Sequence, residues 1–109
     1  MNYKIEVSLK FEREIKKLLK KYPSLKVEYA GLIHSLKIDP FQGIALANSC
    51  YKIRLAITSK GKGKSGGAKV ISHIHIVGKT VYLLTIFDKS DQENIYAKEI
   101  LAILNSFER

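Results

Sequence analysis

Between Cys50 and Phe87 the chain alternates with a period of two, three times over. In the first run Tyr51, Ile53, Leu55 and Ile57 fall on one side, and Lys52 and Arg54 on the other. In the second, Val70, Ser72, Ile74 and Ile76 share a face opposite Lys69, Ile71, His73 and His75. Gly78-Lys79 marks a tight turn, and Thr80 to Phe87 is a third, mostly apolar run. Side chains on a strand point to alternate faces, so these runs predict three strands. Joined in order they make an antiparallel meander, with one face on helices and a second, partly polar face.

The flanks supply the helices. Tyr3 to Ser8 also alternates and reads as a half-buried strand. Ser8 is placed to cap the helix that follows, in which Phe11, Ile15, Leu18, Leu19 and Tyr22 form an apolar stripe. Pro23 stops it, and Ser24 is the expected cap of a second helix with Leu25, Tyr29, Leu32, Ile33 and Leu36 inward. The link Tyr22-Pro23-Ser24 is short enough to force an antiparallel helix hairpin. Asp39-Pro40 ends it, and Phe41 to Ser49 reads as a loop with Gly43 and Asn48 as turn residues. After a polar turn at Asp88 to Asp91, a last helix is expected over roughly Gln92 to Phe107. The expected fold is therefore α+β in a single domain, residues 1–109: an N-terminal strand, a helix hairpin, a three-strand meander joined to the first strand in one sheet, and a C-terminal helix.

Charge is unevenly spread over this framework. From Pro40 to Phe87 there is no Asp or Glu, but there are seven cationic side chains: Lys52, Arg54, Lys60, Lys62, Lys64, Lys69 and Lys79. That segment holds +7 of the chain's formal +9. Such a field calls for a polyanion, with nucleic acid the first choice. The single cysteine, Cys50, excludes an internal disulfide and fits a reducing compartment. No apolar run approaches the roughly 20 residues of a membrane helix, and no long apolar stretch follows the N-terminus as in a signal peptide. A cytoplasmic protein without a membrane partner is the expectation.

Lys52 and Arg54 lie two apart on one strand and so project together. A solvated strand face is the plainer reading of such a pair. Lys69 on the adjoining strand strengthens the other reading, since converging cations repel unless an anion sits among them. The run from Lys60 to Gly67, with Lys62 and Lys64, lacks the Walker spacing and precedes a strand, so nucleotide hydrolysis is rejected. It reads either as a basic flap that tracks a nucleic-acid backbone or as a plain hairpin tip. His73 and His75 share a strand face. A general-acid role is open to one of them, an ordinary half-buried histidine is the plainer reading, and no further ligands suggest a metal. Tyr96 opens the expected last helix beside the end of the final strand, where packing is a plainer reading than catalysis. Cys50 reads as a small buried residue, and Asp88, Asp91 and Glu93 as turn and helix-start charges.

The order of elements resembles the RelE/ParE superfamily of toxins from type II toxin–antitoxin modules, over nearly the whole chain. The stretches that carry the resemblance are Cys50 to Leu55, Lys62 to Ile71 and Leu83 to Ile95. The glycine-rich loop and the last of these look most like the HigB-like branch. RelE-like members are ribosome-dependent endoribonucleases, or mRNA interferases, that inhibit translation. The resemblance implies that Lys52 and Arg54 match the family's two basic strand residues. It implies that Lys69 stands where the family carries an arginine, and that Tyr96 matches a tyrosine of the C-terminal helix. A further family arginine falls on Ser90, with Lys89 beside it as a substitute. Lys60, Lys62 and Lys64 are implied as RNA or ribosome contacts by position.

The chemistry implied needs no metal and no small-molecule cofactor. The 2′-hydroxyl attacks the neighbouring phosphate and leaves a 2′,3′-cyclic phosphate. Lys52 takes the base or orienting role, Arg54 and Lys69 stabilise charge, and Tyr96 stacks on or orients the base. The partners implied are the ribosome, mRNA and a cognate antitoxin of helix-turn-helix type. Two alternatives share the fold: a ParE-like gyrase inhibitor that acts by protein binding, and a weakened homologue that binds RNA or antitoxin without cleaving.

Overall fold

The computed structural model describes residues 2–60, 67–92 and 94–107. The elements run β1 (Lys4–Val7), α1 (Leu9–Lys21), α2 (Leu25–Ile38), β2 (Ile44–Ala45), β3 (Cys50–Leu55), β4 (Ala68–His75), β5 (Thr80–Asp88) and α3 (Ala97–Phe107). All strands join one sheet in the order β1-β5-β4-β3-β2. The meander β3–β4–β5 is antiparallel, and β1 adds to its far side parallel to β5, Lys4 opposite Thr80 through Val7 opposite Leu83.

Ser8 does what its position promised. Its hydroxyl accepts from the Phe11 amide at 2.9 Å and donates to the Leu84 carbonyl at 2.7 Å, so the cap also pins α1 to β5. The Tyr22 hydroxyl at the end of α1 reaches Asp88 at the end of β5, while the Lys37 carbonyl near the end of α2 returns to the Tyr3 amide before β1. The two helices therefore run in opposite senses over one face of the sheet. Phe11, Ile15, Leu18, Leu25, Leu32 and Leu36 meet Ile53, Leu55, Val70, Ile74, Val81, Leu83 and Ile86 there. On the other face α3 lays Ile100, Ile103 and Leu104 over Cys50, Ile71, Leu84 and Phe87. Alternation thus sends the two sides of each meander strand into two separate cores.

Three expectations change. The stretch read as a loop before Cys50 contains β2, which pairs Ile44 with Lys52 and Ala45 with Tyr51. Asn48 and Ser49 both take positive φ, 61° and 58°, as the two central residues of a tight hairpin require. Gly43, at φ 96°, lies against the Lys52 carbonyl, where a Cβ would sit 2.3 Å from the oxygen. Ser24 occupies the N-cap of α2 in αR geometry, but its side chain makes no capping bond; its hydroxyl donates instead to Glu28 and is hydrogen-bonded with the Ser59 hydroxyl. The last helix starts at Ala97, not near Gln92. The amides of Asp91 and Gln92 fold back onto the Asp88 carbonyl, which holds that segment in a turn. Among the described residues no helix is long and apolar enough to cross a membrane.

Candidate functional site

The sheet register brings the sequence's main candidates to one face. Arg54 and Lys69 are direct cross-strand partners, and Lys52, two residues from Arg54, lies on the same side of β3. Arg54 is exposed and Lys52 half-buried, whereas Lys69 is buried at 7% exposure. Two cations placed opposite one another in a sheet repel.

The chain beyond β5 closes one side of this face. Lys52 Nζ donates to Asn94 Oδ1 at 3.3 Å, which ties β3 to the segment that leads into α3. Two residues on, Tyr96 is the residue before α3, not part of its first turn. Its amide donates to Glu99 Oε1 at 3.0 Å, one half of a capping box. That contact uses the Tyr96 backbone and leaves the phenol 76% exposed. An aromatic ring fixed at its base and open on its faces is what stacking on a nucleobase needs.

Asp88, at the end of β5, gathers a separate set of polar groups on the α1 side of the sheet. It is 2% exposed and accepts from Lys60 Nζ, the Tyr22 hydroxyl, and the amide and hydroxyl of Ser90. Burial pushes its pKa up, but the bonds from Lys60, Tyr22 and Ser90 outweigh that and hold the carboxyl well below the usual range. The Lys60 ammonium also lies over the Tyr22 ring, 5.4 Å from its centroid. Lys60 thus points inward to Asp88, with 9% of its side chain exposed, rather than out toward an RNA strand. Ser90, where the family pattern has an arginine, is committed to Asp88 by two hydrogen bonds.

Other bonds anchor the root of the basic loop. Glu28 on α2 accepts from the Thr58 amide at 2.7 Å and from its hydroxyl, and the Ser59 amide donates to Ser24 Oγ at 2.9 Å. Burial works to raise the Glu28 pKa, but the bonds from Thr58 and Ser24 bring it below its ordinary value. On the return side the Lys89 amide donates to the Gly67 carbonyl at 3.1 Å, and Lys89 is half-buried. A Cβ on Gly67 would meet the Leu55 carbonyl oxygen at 2.1 Å, so only glycine fits there. Lys62 and Lys64 lie outside the described residues.

The histidines stand apart from the Arg54–Lys69 pair. They lie four and six residues along β4 from Lys69, roughly 13 and 20 Å at strand spacing. His73 Nδ1 is 2.8 Å from the Asn48 carbonyl, and the ring packs near Tyr82 with centroids 6.2 Å apart. With His75, Tyr82, Leu104 and Phe107 it lines a separate hollow of about 160 Å³. Cys50 is fully buried beneath this end of α3, and burial pushes its thiol up to about 11, so it is not poised as a nucleophile. Among the described residues no group of three or more His, Cys, Asp or Glu side chains could hold a metal ion.

Asp88 was read from sequence as a turn charge, and its part here was missed. No period could have flagged it, because both faces of β5 are buried and parity there does not separate inside from outside.

No protein-family model matches the chain. Solved structures do. The chain resembles an arginine-to-alanine double mutant of the Escherichia coli toxin RelE in the free state, with a TM-score of 0.58 at 16% identity, over 85% of this chain and 90% of that one. It also resembles a chain of the toxin–antitoxin complex RelBE2 from Mycobacterium tuberculosis, with a TM-score of 0.55 at 15% identity, over 81% of this chain and 99% of that one. At these identities what is shared is the fold, and it spans nearly the whole of both chains. The chain is RelE-like in architecture, as its sequence led one to expect. The placement in a HigB-like branch rests on the sequence alone.

Proposed function

We propose that this chain, which shares the fold of the RelE toxins, is the toxin of a toxin–antitoxin pair and a ribosome-dependent mRNA endonuclease. One observation supports this most: Arg54 and Lys69 are cross-strand partners, with Lys52 on the same face and the open ring of Tyr96 nearby. A toxin that worked by gripping a protein has no need of three cations converging beside an exposed aromatic.

The reaction is a transesterification. The 2′-oxygen of one nucleotide bonds to the adjacent phosphorus and loses its proton. The bond from phosphorus to the 5′-oxygen breaks, and that oxygen takes up a proton. Lys52 serves the nucleophile's side as base or orienting group. Arg54 can meet two phosphate oxygens with its planar fork, and Lys69 adds a point charge from below, in a buried setting where charge acts more strongly. Tyr96 holds a base so that sugar and phosphate line up. Small proteins gain most from such chemistry when a partner already holds the substrate in geometry, and the ribosome does that for message. The toxin's antitoxin partner, of helix-turn-helix type in this reading, covers the same cationic face with acidic or amphipathic segments.

Expression in growing cells followed by primer extension on abundant messages tests this. The expected result is growth arrest with cuts in translated regions at codon spacing. Intact messages with trapped gyrase–DNA complexes would favour the gyrase-inhibitor reading instead.

A further inference from the structure

The sheet ends in an edge that the proposed reaction does not use. β1 is the outermost strand on its side, at the far end of the sheet from β2. On its inner side the Lys4 amide donates to the Lys79 carbonyl at 2.8 Å, and the Ser8 amide to the Leu83 carbonyl at 3.0 Å. Backbone groups alternate in direction along a strand, so Tyr3, Ile5 and Val7 turn theirs outward. The Tyr3 amide is met by the Lys37 carbonyl at 2.9 Å. Among the described residues no backbone partner meets the outward amides of Ile5 and Val7. An open hollow of about 420 Å³ runs along this edge, lined by Asn2, Tyr3, Lys4, Ile5, Glu6 and Lys37. Three apolar side chains beside it are exposed: Val7 on the strand, Leu9 two residues further on, and Ile38 next to Lys37.

An unpaired edge invites another strand, and proteins usually block theirs with proline, a bulge or charge. β1 has no proline and pairs with β5 without a bulge, but it carries Lys4 and Glu6, both exposed. These two charges exclude only a strand that sets a like charge opposite. The sequence of β1 passes that test against itself in one register. In an antiparallel pair of copies, the outward groups of Tyr3, Ile5 and Val7 must face one another. Centred on Ile5, the pairing sets Ile5 against its own copy, Tyr3 against Val7, and Lys4 against Glu6 twice over. The next register on either side sets Lys4 against Lys4 or Glu6 against Glu6. In the centred register the Lys4–Glu6 pairs fall at the positions without backbone bonds, where side chains approach most closely. Ile5 exchanges both of its backbone bonds with its copy, and each Val7 amide reaches the Tyr3 carbonyl of the other chain. The Lys37 carbonyl, already on the Tyr3 amide, ends the pairing there. Because Val7 faces Tyr3, the same register carries Leu9 of one copy toward Ile38 of the other, and two exposed apolar side chains cover each other.

We propose that β1 is a self-pairing edge: two copies of this chain join antiparallel from Tyr3 to Val7, centred on Ile5, and their sheets run on as one. The contact is isologous, each surface meeting itself. A strand of four residues makes a small interface, so the dimer exchanges readily, with a Kd of about 10–100 µM. Each copy carries a formal charge of +9, and that repulsion must be screened before the edges meet. Lys52 and Arg54 lie on β3, across β5 and β4 from this edge, so the inference does not depend on the proposed reaction.

Sedimentation equilibrium of the full chain from about 5 to about 500 µM tests this, in about 0.3 M salt, where the Debye length is about 6 Å. The wild type is expected to pass from monomer to dimer over that range, and the Ile5 and Val7 amides to gain protection from hydrogen exchange as it does. Lys4→Glu and Glu6→Lys are each expected to weaken the dimer at least about tenfold, since each sets like charges opposite one another. The two changes move the net charge in opposite directions, so a bulk charge effect cannot produce both losses. Mixed in equal amounts, the two variants are expected to pair with each other about as tightly as wild type, because each strand again meets the opposite sign. The double variant Lys4→Glu, Glu6→Lys is expected to pair with itself likewise, and circular dichroism is expected to show every variant folded. A wild type that stays monomeric throughout would overturn the inference. So would a dimer that both single variants keep, which would put the contact on another surface, or a mixture of the two that fails to associate. Protection of Ile5 and Val7 only on adding an antitoxin, with this chain alone monomeric, would give the edge to that partner and overturn it equally.

Discussion

Asp88→Ala is expected to lower the stability of the fold by about 3–5 kcal/mol, the usual consequence of stranding one member of a buried ion pair. The Asp88 side chain is fully buried and that of Lys60 nearly so. Removing the carboxylate leaves the Lys60 ammonium facing the Tyr22 ring alone, and strips Ser90 and the Tyr22 hydroxyl of their acceptor. In a domain of this size that corresponds to a fall in melting temperature of roughly 15–30 °C. Urea unfolding measures it directly, and a loss below about 1 kcal/mol would contradict the role assigned to the pair. Lys60→Met combined with Asp88→Asn is expected to recover part of the loss, because no charge is then left buried without a partner. The pH dependence has a definite sign. The Asp88 pKa is lower in the folded state than in the unfolded chain. Its contribution is therefore fully present above the ordinary carboxylate range, near pH 4, and is lost as pH falls through the range below that. Wild-type stability is expected to decline there, and the Asp88→Asn variant to decline less.

The second large effect is on activity. Arg54→Ala is expected to slow message cleavage by about 10²–10³-fold, the range seen when one donor to a developing negative charge is removed. Arg54 is exposed, so its loss should change stability by no more than about 0.5 kcal/mol. The two readouts separate a chemical role from a structural one. Arg54→Lys is expected to fall between wild type and alanine, since it keeps the charge but loses the paired donors. Full activity of Arg54→Ala, or loss of activity traced to unfolding, would refute the assignment. Tyr96→Ala is expected to act mainly through weaker binding of the message, as removal of a stacking ring does.

Much of this architecture is legible in the sequence because it is written in periods. The stripe from Phe11 to Tyr22 and the alternation of Tyr51 to Ile57 and Val70 to Ile74 report burial, and the burial of Phe11, Ile15, Leu18, Ile53, Leu55, Val70 and Ile74 matches, whereas Ile76 falls past the end of β4 and is exposed. The shared face of Lys52, Arg54 and Lys69 could also be reached, because it needs only parity and one strand pairing. What stayed hidden depends on contacts distant in sequence. β2 has two exposed residues and so shows no period at all. Lys60 looks like one more cation of a glycine-rich loop, and only the fold places it on Asp88, 28 residues away. Ser24 has the composition of a cap, but Glu28 and Ser59 compete for its hydroxyl and prevail. The late start of α3 has the same origin, since Asp88 claims the turn that a simple reading would give to the helix.

The most direct measurement uses purified protein and ribosomes carrying a defined message, with the cut ends identified chemically. The account predicts cleavage at the codon held in the decoding site, only when the ribosome is present, with a 2′,3′-cyclic phosphate on the upstream fragment and no loss of rate in the presence of a metal chelator selective for transition metals. Message that stays whole on the ribosome, or an upstream fragment ending in a free 3′-hydroxyl, would contradict it.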